Sequence, residues 1–497
     1  MAGRKQRDIW EYGDFQTPKS LAADVCTVLS RLGIEAPAVL EPTCGRGAFL
    51  VAAERAFPDL ISFIGVEINP AYAEEAQAES RAEVRRGDFF AIDWNQILDE
   101  NEGPWLILGN PPWVTNSELG LLNSTNVPEK GNFQGHRGLD AITGKANFDI
   151  SEWMLLQQLS WLTRRSGWIA MLVKTSVARK ILRQAWKRKE PVGRASIFKI
   201  DAMRHFDAAV DACLFVLPVN VGSSSQDCNI YDDLQSLEPT ATIGFHDGMV
   251  VADVDGYMEL RDLIDSSDDY VWRSGVKHDC SKVMELSRSK DGILTNGRSE
   301  AVVIEDHYLF PMLKSSDVAK GCVDADRFMI VTQREIGQDT TPIRINAPKT
   351  WEYLSRHAPF FDRRGSVIYK NKPSFSIFGI GGYTFSPWKV AISGFYKNFR
   401  FVKLGSLHGK PTVLDDTLYF LPCYSEEEAD FILSLVQSEP YQNLLQSMVF
   451  IDEKRPVTAE MLKRISLERV AKKLGRAGEY DSFATVPPSK QLGFALS

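Results

Sequence analysis

The sequence predicts an α/β protein whose first half is built on a doubly wound, mostly parallel β-sheet. Short apolar runs alternate there with amphipathic stretches of helical period. Four successive apolar runs each end in a polar side chain, at Glu41, Glu67, Asp88 and Asn110. Because parallel strands end at one edge of an open sheet, and ligands bind at that edge, we expect these four side chains to line one pocket.

The bulk properties exclude several classes of protein. A chain of 497 residues predicts two or three domains, and its 44% hydrophobic and 25% charged residues are typical of a globular protein. The net charge of -8 does not indicate nucleic-acid binding. The seven cysteines include no Cys-x-x-Cys pair, which favours a cytoplasmic location and argues against structural zinc. No apolar run predicts a signal peptide or a membrane partner.

The stretch 14–32 contains the first predicted helix, with Thr17 as its N-cap and Pro18 as its first residue. A short strand follows and ends in the motif Glu41-Pro-Thr-Cys-Gly45-Arg-Gly47-Ala-Phe49. Gly45 and Gly47 would let a ligand approach the backbone closely. Glu41 would repel a pyrophosphate and attract a cation such as a sulfonium with its ammonium group. A lone Gly-x-Gly is a weak signal, and an ordinary turn would look much the same.

The second and third strands also end in acids. Glu67 follows the run Ser62–Val66, at the place where a carboxylate typically binds ribose hydroxyls. Asp88 and Phe89 follow the third run, and they could accept from an adenine amino group and pack on the adenine face.

The fourth strand, Leu106–Gly109, ends in Asn110-Pro111-Pro112-Trp113. The two prolines fix φ and stop the strand, so the turn is stiff. The Asn110 side-chain oxygen and the Pro111 carbonyl would accept the two N–H groups of a planar amine, and Trp113 would cover the ring that carries it. A polar turn after a buried strand is the simpler alternative. The regular placement of four polar strand ends favours the ligand site.

Together these motifs resemble the S-adenosylmethionine-dependent DNA methyltransferases that modify exocyclic amines. Within them the chain is similar to the gamma class of adenine-N6 enzymes, in which the cofactor motifs precede the catalytic motif and the recognition domain comes last. The resemblance covers residues 14–218 and includes Phe15-Gln-Thr17-Pro18, which looks like the family's cofactor-lid motif. The tryptophan at 113, where the family usually has tyrosine or phenylalanine, is a departure that keeps the stacking surface.

The resemblance implies the class I methyltransferase fold, S-adenosyl-L-methionine as the cofactor and duplex DNA as the partner. The catalytic residues that it implies are Asn110, Pro111, Pro112, Trp113 and Phe206, whose ring would lie on the other face of a flipped base. The implied cofactor-binding residues are Thr17, Glu41, Pro42, Cys44, Gly45, Gly47, Phe49, Glu67, Ile68, Asp88, Phe89 and Asn110.

We expect a catalytic domain over residues 1–220, a linker over 221–245 and a mixed α+β target-recognition domain over 246–497, with two helices near its end. Residues 161–205 and 343–410 each carry twelve basic residues against two acidic ones. In the second stretch the basic groups alternate with aromatic residues, which is typical of a surface that grips a duplex. The segment 114–148 is rich in Gly, Asn, Ser and Thr, and we expect it to order over the cofactor when DNA binds.

The expected reaction is a direct in-line methyl transfer to adenine N6 of a base extruded from the duplex, with no metal and no covalent nucleophile. A protein-glutamine or RNA N-methyltransferase remains an alternative, because an Asn-Pro-Pro-aromatic turn suits any planar amide or amine. A DNA-binding subunit without catalysis is a second alternative. No nuclease motif is found, so a separate restriction endonuclease is the expected partner of a restriction–modification enzyme.

Overall fold

The computed structural model describes residues 16–101, 103–114, 149–267, 269–321 and 326–484. Phe15 and the segment expected to order over the cofactor lie outside the described residues, except for Val114. The chain divides into two compact units, Met1–Val254 and Asp255–Ser497. Among the described helices, none combines the length and the apolar character that crossing a membrane requires.

The first unit is a ten-stranded sheet with helices between its strands. Its strands are β1 (Ala38–Glu41), β2 (Ser62–Glu67), β3 (Glu83–Arg86), β4 (Trp105–Gly109), β5 (Gly167–Lys174), β6 (Ala195–Ile200), β7 (Ala212–Val219), β8 (Asp227–Tyr231), β9 (Ala241–His246) and β10 (Met249–Val251). Its described helices are α1 (Lys19–Arg31), α2 (Ala48–Ala56), α3 (Pro70–Glu79), α4 (Trp94–Leu98), α5 (Ile150–Leu162), α6 (Thr175–Arg188) and α7 (Ala202–Phe206).

The strand order is β10-β9-β8-β6-β7-β5-β4-β1-β2-β3. The five strands from β5 to β3 pair in parallel, as predicted, whereas β7 is antiparallel to both β5 and β6. All five residues of β4 are buried, and only Leu106 and Leu108 of them belong to the main core cluster. Because successive side chains of a strand point to opposite faces, both faces of the sheet are covered at β4. From β1 the chain adds β2 and β3 on one side of the sheet, whereas from β4 it adds β5 on the other side. The strand order therefore reverses between the adjacent strands β1 and β4, and a ligand-binding crevice is expected where these two strands end.

The linker expected over residues 221–245 is wrong, because β8 and most of β9 lie in that stretch and belong to the sheet. β8 pairs in parallel with β6, and β9 and β10 extend the sheet further. Tyr231 of β8 stacks on Phe198 of β6 with ring centroids 4.2 Å apart, which buries apolar surface that a linker would expose. The Gly-Ser-rich signal at 222–225 marks only a tight connection. The first compact unit therefore extends to Val254.

The second unit contains a four-stranded sheet, β11-β20-β17-β18, and a six-stranded sheet, β14-β13-β12-β16-β15-β19. Its strands are β11 (Arg273–Ser274), β12 (Glu285–Arg288), β13 (Leu294–Asn296), β14 (Ala301–Val302), β15 (Leu309–Leu313), β16 (Arg327–Ile330), β17 (Trp388–Ser393), β18 (Phe401–Leu404), β19 (Val413–Leu414) and β20 (Leu418–Cys423). The helices from the unit boundary onward are α8 (Val254–Glu259), α9 (Ser281–Met284), α10 (Ser315–Lys320), α11 (Ile343–Asn346), α12 (Pro348–Arg356), α13 (Ala358–Asp362), α14 (Glu426–Val436), α15 (Glu439–Met448), α16 (Ala459–Leu462), α17 (Leu467–Lys473) and α18 (Ala477–Ala484).

The prediction of two helices near the end of the chain is wrong in detail. The helix predicted over residues 425–444 is two helices, α14 and α15, because Pro440 cannot continue α14 and instead lies in the first turn of α15. The second is also two, α16 and α17, and the side chain of Ser466 caps the second of them.

Candidate active site

Glu41 ends β1 between the neighbouring strands β2 and β4. The residue is only 2% exposed, and its Oε2 atom has no hydrogen-bond partner among the described residues. Burial raises the pKa of the Glu41 carboxyl well above its usual range, and the charge of Glu67 raises it further. A buried carboxyl with a free acceptor is costly unless a donor reaches it. The position therefore fits a cationic ligand.

Glu67, at the end of β2, holds the glycine turn in place. Its Oε2 accepts from the backbone N–H of Gly45 at 2.8 Å, and its Oε1 accepts from the backbone N–H of Asn69 at 2.8 Å. The carboxylate thus joins the turn after β1 to the start of α3. The ribose-binding role of Glu67 stays a prediction.

Two consecutive residues ahead of α1 connect the glycine turn with the Asn-Pro-Pro-Trp turn (Asn110–Trp113). The Oε1 atom of Gln16 accepts from the backbone N–H of Arg46 at 3.2 Å, and the Oγ1 atom of Thr17 accepts from Nδ2 of Asn110 at 3.3 Å. Gln16 was not singled out from the sequence, because glutamine before a helix has no distinctive signature. Thr17 is not the helix N-cap that we expected, since α1 begins at Lys19 and Pro18 occupies the N-cap position.

The Asn-Pro-Pro-Trp turn adjoins Glu41. A Cβ atom added to Gly109, the residue before the turn, would lie 3.8 Å from Oε1 of Glu41. Asn110 itself is partly exposed, while Pro111 is buried. The structure therefore brings Thr17, Glu41 and Asn110 together at the edge where β1 and β4 end.

Trp113 and Phe206 are in direct contact. Their ring centroids are 5.1 Å apart with an edge-to-face angle of 68°, and both side chains belong to the main core cluster. The indole N–H of Trp113 donates to the carbonyl of Leu172 at 3.1 Å. The two rings touch edge to face, and each buries apolar surface of the other. They therefore do not form two parallel faces between which a base could lie.

The expected adenine-binding residues differ in their surroundings. Asp88 accepts from the backbone N–H of Phe90 at 2.9 Å and is partly exposed. Phe89 is buried and packs on Trp94 and other aromatic rings, with centroids 5.0 Å apart in that pair. Ile68 is 47% exposed beside Glu67, so its side chain offers apolar surface to a ligand.

Three further implied cofactor residues are buried. Pro42 and Cys44 lie in the glycine turn, and Phe49 belongs to α2 and packs in the main core. Cys44 belongs to a small core cluster with Leu50. Among the residues that the structure describes, no three His, Cys, Asp or Glu side chains gather as a metal site.

The two basic stretches are less uniform than their sequences suggest. In residues 161–205, five basic side chains pair with carboxylates of the same unit, in the pairs Arg165–Asp99, Lys174–Asp149, Lys180–Glu152, Arg194–Asp227 and Lys199–Asp232. In residues 343–410, Lys389 is 1% exposed and cannot contact phosphate, and burial lowers its pKa to about 7.

Two of the aromatic residues expected to alternate with these basic groups lie deeper than predicted. Tyr353 and Phe375 are buried in the core of the second unit, and Tyr396 is exposed. Several basic side chains of the stretch do reach solvent, namely Arg344, Lys349, Arg356, Arg363, Lys370, Lys372, Lys397 and Arg400.

Comparison with known proteins finds relatives along nearly the whole chain. The chain is 44% identical over 469 residues to Type II methyltransferase M.NspV of Nostoc sp., which covers 93% of this chain and 97% of that protein. It is 38% identical over 104 residues to Type II methyltransferase M.CvrRI of a Paramecium bursaria Chlorella virus, which covers 21% of this chain and 25% of that protein. The chain matches no model of a known protein family.

Among solved structures, the chain is similar to the type IIL restriction–modification enzyme MmeI in complex with DNA. The likeness covers 95% of this chain and 70% of that chain, with a TM-score of 0.50 and 14% identity. At that identity the likeness concerns the fold alone.

Proposed function

This chain belongs to the type II methyltransferase family, and from that premise we propose that it transfers a methyl group from S-adenosyl-L-methionine to N6 of an adenine flipped out of duplex DNA. The observation that carries the proposal is the meeting of Asn110, Thr17 and the buried Glu41 at one sheet edge. An amine-binding turn and a position suited to a cation are neighbours there, as a methyl transfer from a sulfonium requires.

The residues present fit the proposed cofactor. The free Oε2 of Glu41 would accept from its ammonium group, and the negative charge suits a sulfonium. The turn of Gly45 and Gly47 would lie along the methionine part, while Glu67, Ile68 and Asp88 would bind the adenosine part. When bound, S-adenosyl-L-methionine supplies an activated methyl group.

Asn110 and Pro111 would prepare the amine for attack. The amine nitrogen is a poor nucleophile because its lone pair is delocalised into the ring. The Asn110 Oδ1 atom and the Pro111 carbonyl would accept its two N–H groups, which favours sp3 character and stabilises the positive charge that develops on the nitrogen. Because Nδ2 of Asn110 donates to Thr17, the Oδ1 atom is turned to the other side of the carboxamide.

Trp113 and Phe206 would cover the base only after a rearrangement. Their rings now touch at a centroid distance of 5.1 Å, which leaves no space for a base between them. A flipped base would have to separate them or lie against one ring, and the apolar contact between the rings would be exchanged for contacts with the base.

Duplex DNA is the proposed substrate. The exposed basic side chains of residues 343–410 support it, as does the DNA in the MmeI structure, which is that protein's ligand. Family membership supports a role in restriction–modification, with a separate endonuclease that cuts the same site, and a cytoplasmic location beside the DNA. The domain roles, catalysis before Val254 and target recognition after it, belong to the same proposal.

The decisive experiment is the chemical identification of the methylated product. The purified protein is incubated with labelled S-adenosyl-L-methionine and unmethylated DNA, and the nucleosides are analysed by mass spectrometry. We expect N6-methyladenine in DNA. Label in RNA or in protein glutamine, methylated cytosine in DNA, or cofactor binding without transfer would each overturn the proposal.

Asn110→Ala tests the amine site within the same assay. We expect transfer to fall by about three orders of magnitude or more, because the oriented acceptors act mainly in the transition state. Cofactor affinity by calorimetry should stay within about threefold, since Glu41 and Glu67 are untouched. Asn229→Ala, on β8, is the control and should keep full activity. Full activity of Asn110→Ala would remove the assigned amine site.

A further inference from the structure

We propose that Lys174 is a positioning residue that locks the Asn-Pro-Pro-Trp turn to the start of α5. Lys174 is the last residue of β5. Its Nζ atom donates to the backbone carbonyl of Trp113 at 3.0 Å and to Oδ2 of Asp149 at 2.7 Å. The expected effect of Lys174 on catalysis rests on the proposed function, whereas its expected effect on the order of the turn does not.

The turn needs donors from outside because it has few of its own. Pro111 and Pro112 carry no N–H group, so neither can donate a backbone hydrogen bond that would hold the turn. Trp113 is instead held twice by β5: its indole N–H donates to the carbonyl of Leu172, and its own carbonyl accepts from Lys174. With Trp113 anchored and two rigid residues before it, Asn110 has little freedom to move.

Asp149 extends the lock to α5. Its Oδ1 accepts from the backbone N–H and the hydroxyl of Ser151, at 3.1 and 2.5 Å, which caps the helix. Its Oδ2 accepts from Lys174, and the backbone N–H of Ile150 donates to the carbonyl of Val114 at 2.9 Å. One ammonium group therefore joins the end of the Asn-Pro-Pro-Trp turn to the N-terminus of a helix.

The pair is well shielded from solvent. The side chain of Asp149 is 7% exposed and that of Lys174 is 22% exposed. Removing one partner of a shielded ion pair costs more free energy than the lost contact alone, because the other charge is left uncompensated. Removing the ammonium group should therefore loosen the turn and also repel the carbonyl of Trp113 from the remaining carboxylate.

A second ion pair, between α5 and α6, provides a matched control. Lys180 of α6 pairs with Glu152 of α5 at 2.8 Å, and the side chain of Glu152 is 5% exposed. No hydrogen bond described for Lys180 reaches the Asn-Pro-Pro-Trp turn. Lys180→Met therefore removes a similar ion pair from the same part of the unit and leaves the turn held.

The first readout is catalysis. Lys174→Met should lower kcat by about 10- to 100-fold, because a displacement of about 1 Å at the reacting groups has that effect. KM for DNA and the dissociation constant of the cofactor should change by less than about threefold. Lys180→Met should leave kcat within about twofold. If Lys174→Met and Lys180→Met lost kcat equally, Lys174 would form only a structural ion pair, and the proposal would be overturned.

The second readout does not depend on activity. Hydrogen exchange of the full-length protein should be faster in Lys174→Met at peptides covering 106–114 and 149–155, and Lys180→Met should leave 106–114 unchanged. If Lys174→Met fails to fold, Asp149→Asn removes the charge and should speed exchange at the same turn. Unchanged exchange at 106–114 in the folded variant overturns the proposal. A wild-type protein that transfers no methyl group to DNA refutes the proposed function instead.

Discussion

Glu41 is the residue on which cofactor binding should depend most directly. Its carboxyl group is buried at the end of β1, and Glu67 stands close enough to raise its pKa. A cation bound there would favour the charged form and so lower the pKa again. Binding should therefore release protons, and affinity should rise with pH until the carboxyl of the ligand-free protein is ionised.

Glu41→Gln should raise the stability of the ligand-free protein and lower its affinity for the cofactor. A carboxyl whose pKa is raised in the folded state stabilises the fold below the unfolded-state pKa, and that stability is lost as pH rises through the folded-state pKa. Glutamine carries no charge, so the ligand-free variant should be more stable than the wild type once the pH exceeds the usual carboxyl pKa, and the difference should grow as the pH rises further. Cofactor affinity should fall about tenfold or more, because the charge attraction is lost.

Two measurements check this prediction. Chemical denaturation over a pH series that begins near the usual carboxyl pKa of about 4 should show the stability difference growing with pH. Calorimetry in buffers of different ionisation enthalpy should show proton release for the wild type and none for Glu41→Gln. Glu79→Gln, on the exposed pair with Lys19, is the control for both. Unaltered affinity in Glu41→Gln would contradict the assigned role.

At the scale of elements, the turn between β1 and α2 depends on the close packing of α3. Gly47 has a φ of 80°, and a Cβ atom added there would lie 2.9 Å from the Cβ and 3.0 Å from the Cα of Ala76. Since a backbone atom is involved, the clash cannot be relieved by a side-chain rotation. The glycine thus sets how closely the turn can approach α3, and Glu67 fixes the other side of that turn.

Gly47→Ala should therefore lower the free energy of unfolding by more than backbone strain alone would. We expect a loss of about 2–4 kcal/mol in the free energy of unfolding, together with weaker cofactor binding, because the turn must shift. Gly33→Ala is the matched control, since Gly33 has a φ of 70° but no atom within 4 Å of an added Cβ. It should lose only about 1–2 kcal/mol. Urea denaturation of both variants measures the difference, and equal losses would exclude the steric contribution.

The sequence predicts elements better than it predicts the environment of their side chains. The strands ending at Glu41, Glu67 and Gly109 were recognised from short apolar runs, and the structure places them as expected. The edge-to-face contact of Trp113 with Phe206 was not foreseen, and nor was the burial of Lys389. An aromatic or basic residue at a given spacing looks the same in a sequence whether it points to solvent or to a core.

At the scale of the whole molecule, a net charge of -8 coexists with exposed basic groups in the second unit. Binding to the phosphate backbone releases counterions, so it depends on local basic groups and weakens with salt. Lys370 and Lys372 are exposed, and the structure describes no carboxylate partner for either side chain. They are therefore candidates for phosphate contacts.

The double variant Lys370→Ala and Lys372→Ala should bind duplex DNA more weakly. The slope of log K against log salt concentration should become shallower by about two, close to one per lost phosphate contact. Fluorescence anisotropy over a salt series measures this slope. The exposed pair Lys282 and Lys290, changed to alanine together, is the control and should leave the slope unchanged. Equal effects of the two double variants would contradict a phosphate-binding surface in 343–410.

The sequence by itself determined the first four strands of the first unit, the polar residue that follows each of them and the stiffness of the Asn-Pro-Pro-Trp turn. These features depend on local periodicity and on the fixed φ of proline, which neighbouring residues alone establish. Only the tertiary structure decided which side chains meet. The bonds Glu67–Gly45, Lys174–Trp113 and Asn110–Thr17 join residues 22, 61 and 93 positions apart. Such contacts follow from the strand order and from the packing of helices on the sheet, and no local pattern records them.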